Sequence, residues 1–160
     1  MEFRIERISE IKTLLQDEVT KRDNILKKYK KIRNTMGVIG KVSVGITMSS
    51  GAGGIITAST IALLPVAILI DSIVVVCGIT LLVSTKLYDC IGNKIDKHRS
   101  IKLLAINKLE LINKILGEDE TIDQSEFNII SNHYEEFHKL KIDIQNKYKM
   151  QVLNKYIICH

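Results

Sequence analysis

The chain has no tryptophan, a single proline (Pro65), three cysteines and few aromatic rings: three phenylalanines and five tyrosines in 160 residues. One proline and nine glycines exclude collagen-like and proline-rich chains. Cys77, Cys90 and Cys159 are too scattered for a disulfide framework or a CxxC-type zinc site, and three thiols suit a reducing compartment. So few rings leave little for an aromatic cage or a base-stacking platform. The sharpest shortage is of charge. Between Lys41 and Lys86 only Asp71 carries one. That excludes disorder for this segment and argues against a uniformly soluble surface.

What is present is charge on either side of that gap. The net charge is +5, from 23 basic and 18 acidic residues. The densest cluster is Lys21, Arg22, Lys27, Lys28, Lys30, Lys31 and Arg33, just before the apolar run, and Lys86, Lys94, Lys97 and Arg99 follow it. Residues 117–160 are acidic on balance. A hydrophobic run with basic flanks suits an anionic cytoplasmic leaflet. Nucleic acid would attract the same cluster, and a solvated helix face is the bland alternative; the membrane flank is preferred to both. The first 35 residues hold no apolar signal region, and Met1-Glu2 lacks a myristoylation glycine; the expectation is an amino terminus that stays on its side of synthesis.

Along the chain, residues 1–36 predict a basic amphipathic helix. Ile8, Ile11, Leu15, Ile25, Tyr29, Ile32 and Met36 form a heptad-like seam, interrupted by Glu18 and Arg22. Packing against the carboxy-terminal helices is preferred to a homotypic coiled coil. Residues 37–87 predict an apolar hairpin. The 29 uncharged residues after Lys41 and the 14 after Asp71 suffice for two spans of about 20 residues each. The first span is placed at 38–58. The second runs from Pro65, which suits a first helical turn, to 87. A rival turn at 49–54 leaves a first arm too short to cross. Residues 88–150 predict an antiparallel helix pair, with a stripe from Ile91 through Ile95, Ile101, Ala105, Leu109 and Ile112 to Leu116. A second stripe holds Phe127, Ile130, Tyr134, Phe137, Ile144 and Tyr148. Gly117 fits a helix C-cap, and Asp123 with Glu126 has capping-box spacing. Residues 151–160 are a tail.

Candidate functional residues are few. Gly45, Ser49 and Gly53 recur every four residues on one face of the first arm, with Gly78 as a counterpart on the second, a pattern that lets membrane helices approach closely. Asp71 is the intramembrane polar residue; polar glue, interfacial placement or an ion path are its open roles. Lys27, Lys28, Lys30, Lys31 and Arg33 form the basic flank. His98 is expected at a surface or interface. No metal or cofactor site is predicted. His133 and His138 are five apart, not the i,i+4 of a helical zinc pair, and the liganding start of an EF-hand loop is missing before Glu126. Glu135 and Glu136 are adjacent and point to different sides of a helix. No phosphate loop follows Gly51–Gly54. Cys90 admits acylation, with a plain thiol preferred. No catalytic residue is assigned.

The Gly-rich apolar segment, the strings Lys97–Ile101, Ala105–Leu109 and Thr121–Phe127, and the closing Glu/Lys-rich helix resemble a group of small uncharacterised proteins of invertebrate genomes, some of viral or mobile-element character. The resemblance spans about residues 35–148. Where that group has Asp-Gly before the turn isoleucine, this chain has Glu120-Thr121. It implies a membrane-associated helical protein without an assigned activity, so no functional residue carries over. A looser, compositional likeness is to apolipoprotein-L-like proteins.

The expectation is therefore an all-α, non-enzymatic integral membrane protein: a two-helix transmembrane hairpin on a small amphipathic bundle, both termini cytoplasmic, contacting an anionic leaflet. Anchoring, scaffolding or membrane remodelling is the expected role, with homo-oligomers possible. The alternatives are a pore-forming or ion-conducting assembly, and a soluble helical-bundle interaction protein or nucleic-acid-binding structural protein.

Overall fold

The computed structural model describes the backbone of residues 2–58, 64–117 and 122–157, and the side chains of 3–44, 72, 75–117 and 122–152. It is all-α, with three helices: α1 (Glu2–Ala58), α2 (Leu64–Ile115) and α3 (Gln124–Ile157). Three expected boundaries are absent, and one of them is the start of the tail at 151, since α3 continues to Ile157. α1 runs through Gly37 without a break, and α2 runs through Gly92, so each expected pair of shorter helices is one long helix. A lone glycine inside a helix costs about 1 kcal/mol, too little to end helices with this many backbone bonds. α2 begins with Pro65 in its first turn, as expected.

The chain divides into two compact units, and α1 and α2 each contribute to both. The first comprises residues 1–28 and 93–160. It is a three-helix bundle whose core holds Ile8, Ile11 and Leu15 of α1, Ala105 and Ile112 of α2, Ile122 before α3, and Ile130 and Phe137 of α3. Ile95 and Ile101 are buried as well. Apolar surface removed from water contributes about 25 cal/mol per Å2, so this core is the main source of the unit's stability. The amino-terminal helix thus packs on the carboxy-terminal pair, as preferred from its seam.

The seam itself shifts. Leu26 is buried where Ile25 was expected, and Ile32 is exposed. A straight helix turns at 3.6 residues, so a strict seven-residue seam drifts off its face. The stripe of α3 also fades: Ile130 and Phe137 are buried, Phe127 and Tyr134 half-buried.

The break between α2 and α3 holds one expectation and corrects another. The Glu126 amide donates to Asp123 Oδ1 at 2.7 Å, and the Asp123 amide donates to Glu126 Oε2 at 3.1 Å, a complete capping box. Gly117 is not a left-handed cap; no described glycine has positive φ. Its amide donates to the Lys114 carbonyl at 3.4 Å in a tightened last turn. The space is tight there: a Cβ would stand 3.1 Å from the Asn113 carbonyl oxygen.

The second unit comprises residues 29–92. Within it, Arg33 meets Gly92, Gly37 meets Tyr88, and Gly40 meets Ser84 and Leu81. One set of numbers rises as the other falls, so the two helices run antiparallel. A Cβ at Gly37 would lie 3.6 Å from Tyr88 Cε2, and one at Gly40 would lie 3.5 Å from Ser84 Oγ. Small residues on α1 therefore admit the side chains of α2, which is how helices approach closely.

Candidate functional site

In the second unit, α2 leaves most of its apolar residues uncovered. Val75, Val76, Ile79, Leu82 and Val83 are each more than half exposed, the highest being Leu82 at 65%. At about 100° per residue these side chains cover a broad arc, wider than the stripe a core-facing helix needs. Cys77 and Gly78 are half-buried, and Ser84 is buried on the opposite side. On α1, Val38, Ile39 and Val42 are exposed in the same way. Among the described residues one stretch, Val75–Ile115, is long and apolar enough to cross a membrane, and only 11% of its most apolar window is buried. The poorly buried part is this window; farther along the same helix Ile95, Ile101, Ala105 and Ile112 are buried in the bundle.

A groove of about 460 Å3 lies between the two helices of this unit. Its walls are Met36, Gly37, Gly40 and Val44 on one side, and Leu81, Ser84, Thr85 and Tyr88 on the other. Lys41 and Asp89 also line it. The hydroxyls are satisfied locally: Ser84 Oγ and Thr85 Oγ1 donate to the Leu81 carbonyl at 2.9 and 3.0 Å. Polarity available to a ligand therefore rests on the two charged side chains. Beside the groove, the Arg33 guanidinium lies 4.3 Å over the Tyr88 ring, a cation–π contact. Arg33 Nε is buried without a hydrogen-bond partner among the described residues.

The first unit holds a different constellation, a buried polar layer. Arg22 Nε donates to Glu18 Oε1 at 2.7 Å, and Lys141 of α3 reaches the same oxygen at 3.2 Å. Burial raises the Glu18 carboxyl, but the hydrogen bonds from Arg22 and Lys141 outweigh it and hold the pKa below the ordinary value. Arg22 Nη1 also sits 2.8 Å from His98 Nδ1 of α2. His98 is buried, and its pKa falls from 6.5 to about 4, through burial first and then the charges of Arg22 and Lys97. Lys102 bonds Asp23 at 2.7 Å and lowers its pKa. Lys108 is buried against Glu136, whose carboxyl it also lowers, with His133 3.4 Å away. Buried ion pairs add little net stability but penalise any arrangement that separates them. Their chemistry is structural: each cation is spent on a carboxylate or on a histidine lone pair.

His98, expected at a surface or an interface, lies at the interface of α1 and α2, and Lys108 is buried against α3. The signal was in the spacing. His98 stands seven residues from both Ile91 and Ala105, and Lys108 seven from both Ile101 and Ile115. Both are thus in phase with the apolar stripe.

The other expected residues fall as follows. Gly78 has no described atom within 4 Å of where its Cβ would be. The surroundings of Gly45, Ser49, Gly53 and Asp71 lie outside the described residues, as do those of the connection at 59–63. Lys27, Lys28, Lys30 and Lys31 are exposed, Lys27 lying 3.4 Å from Asp23, and Arg33 is half-buried on Tyr88. The close approach falls at Gly37, which is in phase with the four-residue pattern, and at Gly40 and Ser84, which that pattern skips. Cys90 is exposed. Among the described residues no three His, Cys, Asp or Glu side chains are grouped to hold a metal. His138 instead packs edge-on to Tyr134, with ring centroids 4.7 Å apart.

No family model, no curated protein and no solved structure matches the chain.

Proposed function

We propose that this is a non-enzymatic helical-bundle interaction protein, with the three-helix unit as its stable body and the apolar helix pair of residues 29–92 as its contact element. The observation that carries this reading is the exposed apolar arc Val75, Val76, Ile79, Leu82 and Val83. A surface of that kind is unfavourable in water and is kept where something covers it. The buried charge layer supports an architectural role, since its members hold helices to one another.

A second reading is favoured by one specific observation: the uncharged stretches of 29 and 14 residues that border Asp71, joined to a helix able to cross a membrane. Here the cover is lipid. Residues 37–87 insert as a helical hairpin with both termini cytoplasmic, and the basic residues 27–33 lie against an anionic leaflet. Anchoring, scaffolding or remodelling of that membrane is then the role, alone or as an oligomer.

Fractionation of the full chain with an alkaline carbonate wash separates the two. Retention in the pellet until detergent is added supports the bilayer. Recovery as a discrete particle without detergent supports a protein partner. A particle of that kind in which 75–83 is protected from hydrogen exchange within the monomer overturns the interaction reading itself.

A further inference from the structure

The groove between the helices of the second unit has charges of opposite sign at different depths. Asp89 follows Tyr88, which faces Gly37; Lys41 lies four residues beyond Gly37 on α1. At 1.5 Å per residue that is about 6 Å along the helix axis. Among the described residues no ion pair joins Lys41 to Asp89. The axis has a polarity. The Asp89 end is the one toward Arg33 and the exposed Lys30 and Lys31, and the Lys41 end is the one toward Val44, Leu81 and the exposed Ile79 and Val75. If the apolar end is immersed in lipid, Lys41 is the deeper charge and Asp89 the shallower.

A glycerophospholipid with an amino headgroup presents the same order: acyl chains, then phosphate, then ammonium. We propose that this groove seats one such aminophospholipid, with its phosphate on Lys41, its ammonium on Asp89, and an acyl chain along Val44 and Leu81. The site rests on the bilayer reading above and adds the lipid class. Gly37 and Gly40 bring α1 against Tyr88, Ser84 and Leu81, so the floor of the groove is the helix contact itself. Its volume of about 460 Å3 lies in the range of small-molecule sites. Tyr88, held by Arg33, forms a fixed wall beside the headgroup. A phosphatidylglycerol headgroup offers the same phosphate but only neutral hydroxyls to Asp89, so the groove discriminates by the charge of the donor that meets this carboxylate. A charge-assisted hydrogen bond is the stronger kind and supports about a tenfold preference.

The test is native mass spectrometry of the detergent-extracted full chain, incubated with equal amounts of phosphatidylethanolamine and phosphatidylglycerol of identical acyl chains. The wild type is expected to retain phosphatidylethanolamine about tenfold over phosphatidylglycerol. Asp89→Asn, at an exposed position, is expected to bring that ratio to about one, and Lys41→Gln to weaken both lipids together. Equal retention of the two lipids by the wild type, or an Asp89→Asn ratio equal to that of the wild type, overturns the site while leaving membrane insertion standing. A chain that is monodisperse without detergent and retains neither lipid overturns both.

Discussion

Arg22 Nη1 lies 2.8 Å from His98 Nδ1 across the interior of the three-helix bundle. A guanidinium can only donate, so Nδ1 must accept, and His98 is neutral with its proton on Nε2. Protonation at Nδ1 would set two cations against each other in a buried place. Around them stand Glu18 on the same helix, Lys94, Lys97 and Lys102 on α2, and Lys141 on α3. The net surroundings of His98 are cationic.

This pair makes the bundle acid-sensitive. The folded pKa of His98, about 4, lies below its ordinary value of 6.5, so the unfolded chain takes up the proton first as pH falls. The contribution is complete above pH 6.5 and is lost progressively down to about pH 4. The melting temperature should fall through that window. His98→Gln, which offers Arg22 a neutral acceptor, should flatten the fall. An equally steep profile in the variant would show that other groups carry it.

Removing Arg22 leaves the half-buried Glu18 with Lys141 as its remaining described partner. Arg22→Ala should destabilise the chain by about 1–3 kcal/mol in denaturant titration. A Glu18→Gln/Arg22→Ala double variant should recover part of the loss, because the carboxylate that lost one of its two cations is gone.

The core of the bundle should respond as a close-packed interior. Leu15 and Ile112 are both fully buried in the cluster shared by all three helices. Leu15→Ala and Ile112→Ala should each cost about 2–5 kcal/mol, measured by chemical unfolding monitored at 222 nm. Leu103→Ala, at an exposed site on the same helix as Ile112, should cost under about 0.5 kcal/mol.

The start of α3 depends on its capping box. Asp123→Ala removes the acceptor for the Glu126 amide and should cost about 0.5–2 kcal/mol. Asp123→Asn or Asp123→Ser should restore most of it. Hydrogen exchange at the amides of Ser125 and Glu126 should rise in the alanine variant and return in the other two.

Much of the helical character was legible because periodicity and capping act locally. The stripe at Ile91–Ile112 and the Asp123–Glu126 box both appear where their spacing puts them. Helix ends were less legible. The helices were expected to change near Gly37 and before Gly92, but both glycines lie inside continuous helices and next to a side chain of the neighbouring helix, Tyr88 for one and Arg33 for the other. Those neighbours are residues some 50 to 60 positions away in the chain, beyond the reach of any local window. For His98 the choice between surface and interface was not legible from residue type; its phase, like that of Lys108, put it on the buried face.

By itself, the sequence determined that the chain is helical, that charge is almost absent between Lys41 and Lys86, and where α3 begins. These follow from side-chain period, composition and backbone capping, each set within a few turns of helix. Only the tertiary structure decided that four expected helices are two long ones. It alone paired Arg22 with His98 and Lys108 with Glu136, and brought Lys41 and Asp89 to one groove. Those outcomes depend on which faces of distant helices meet, and burial reverses the ordinary preference of a charged side chain for water once a partner is supplied across the interface.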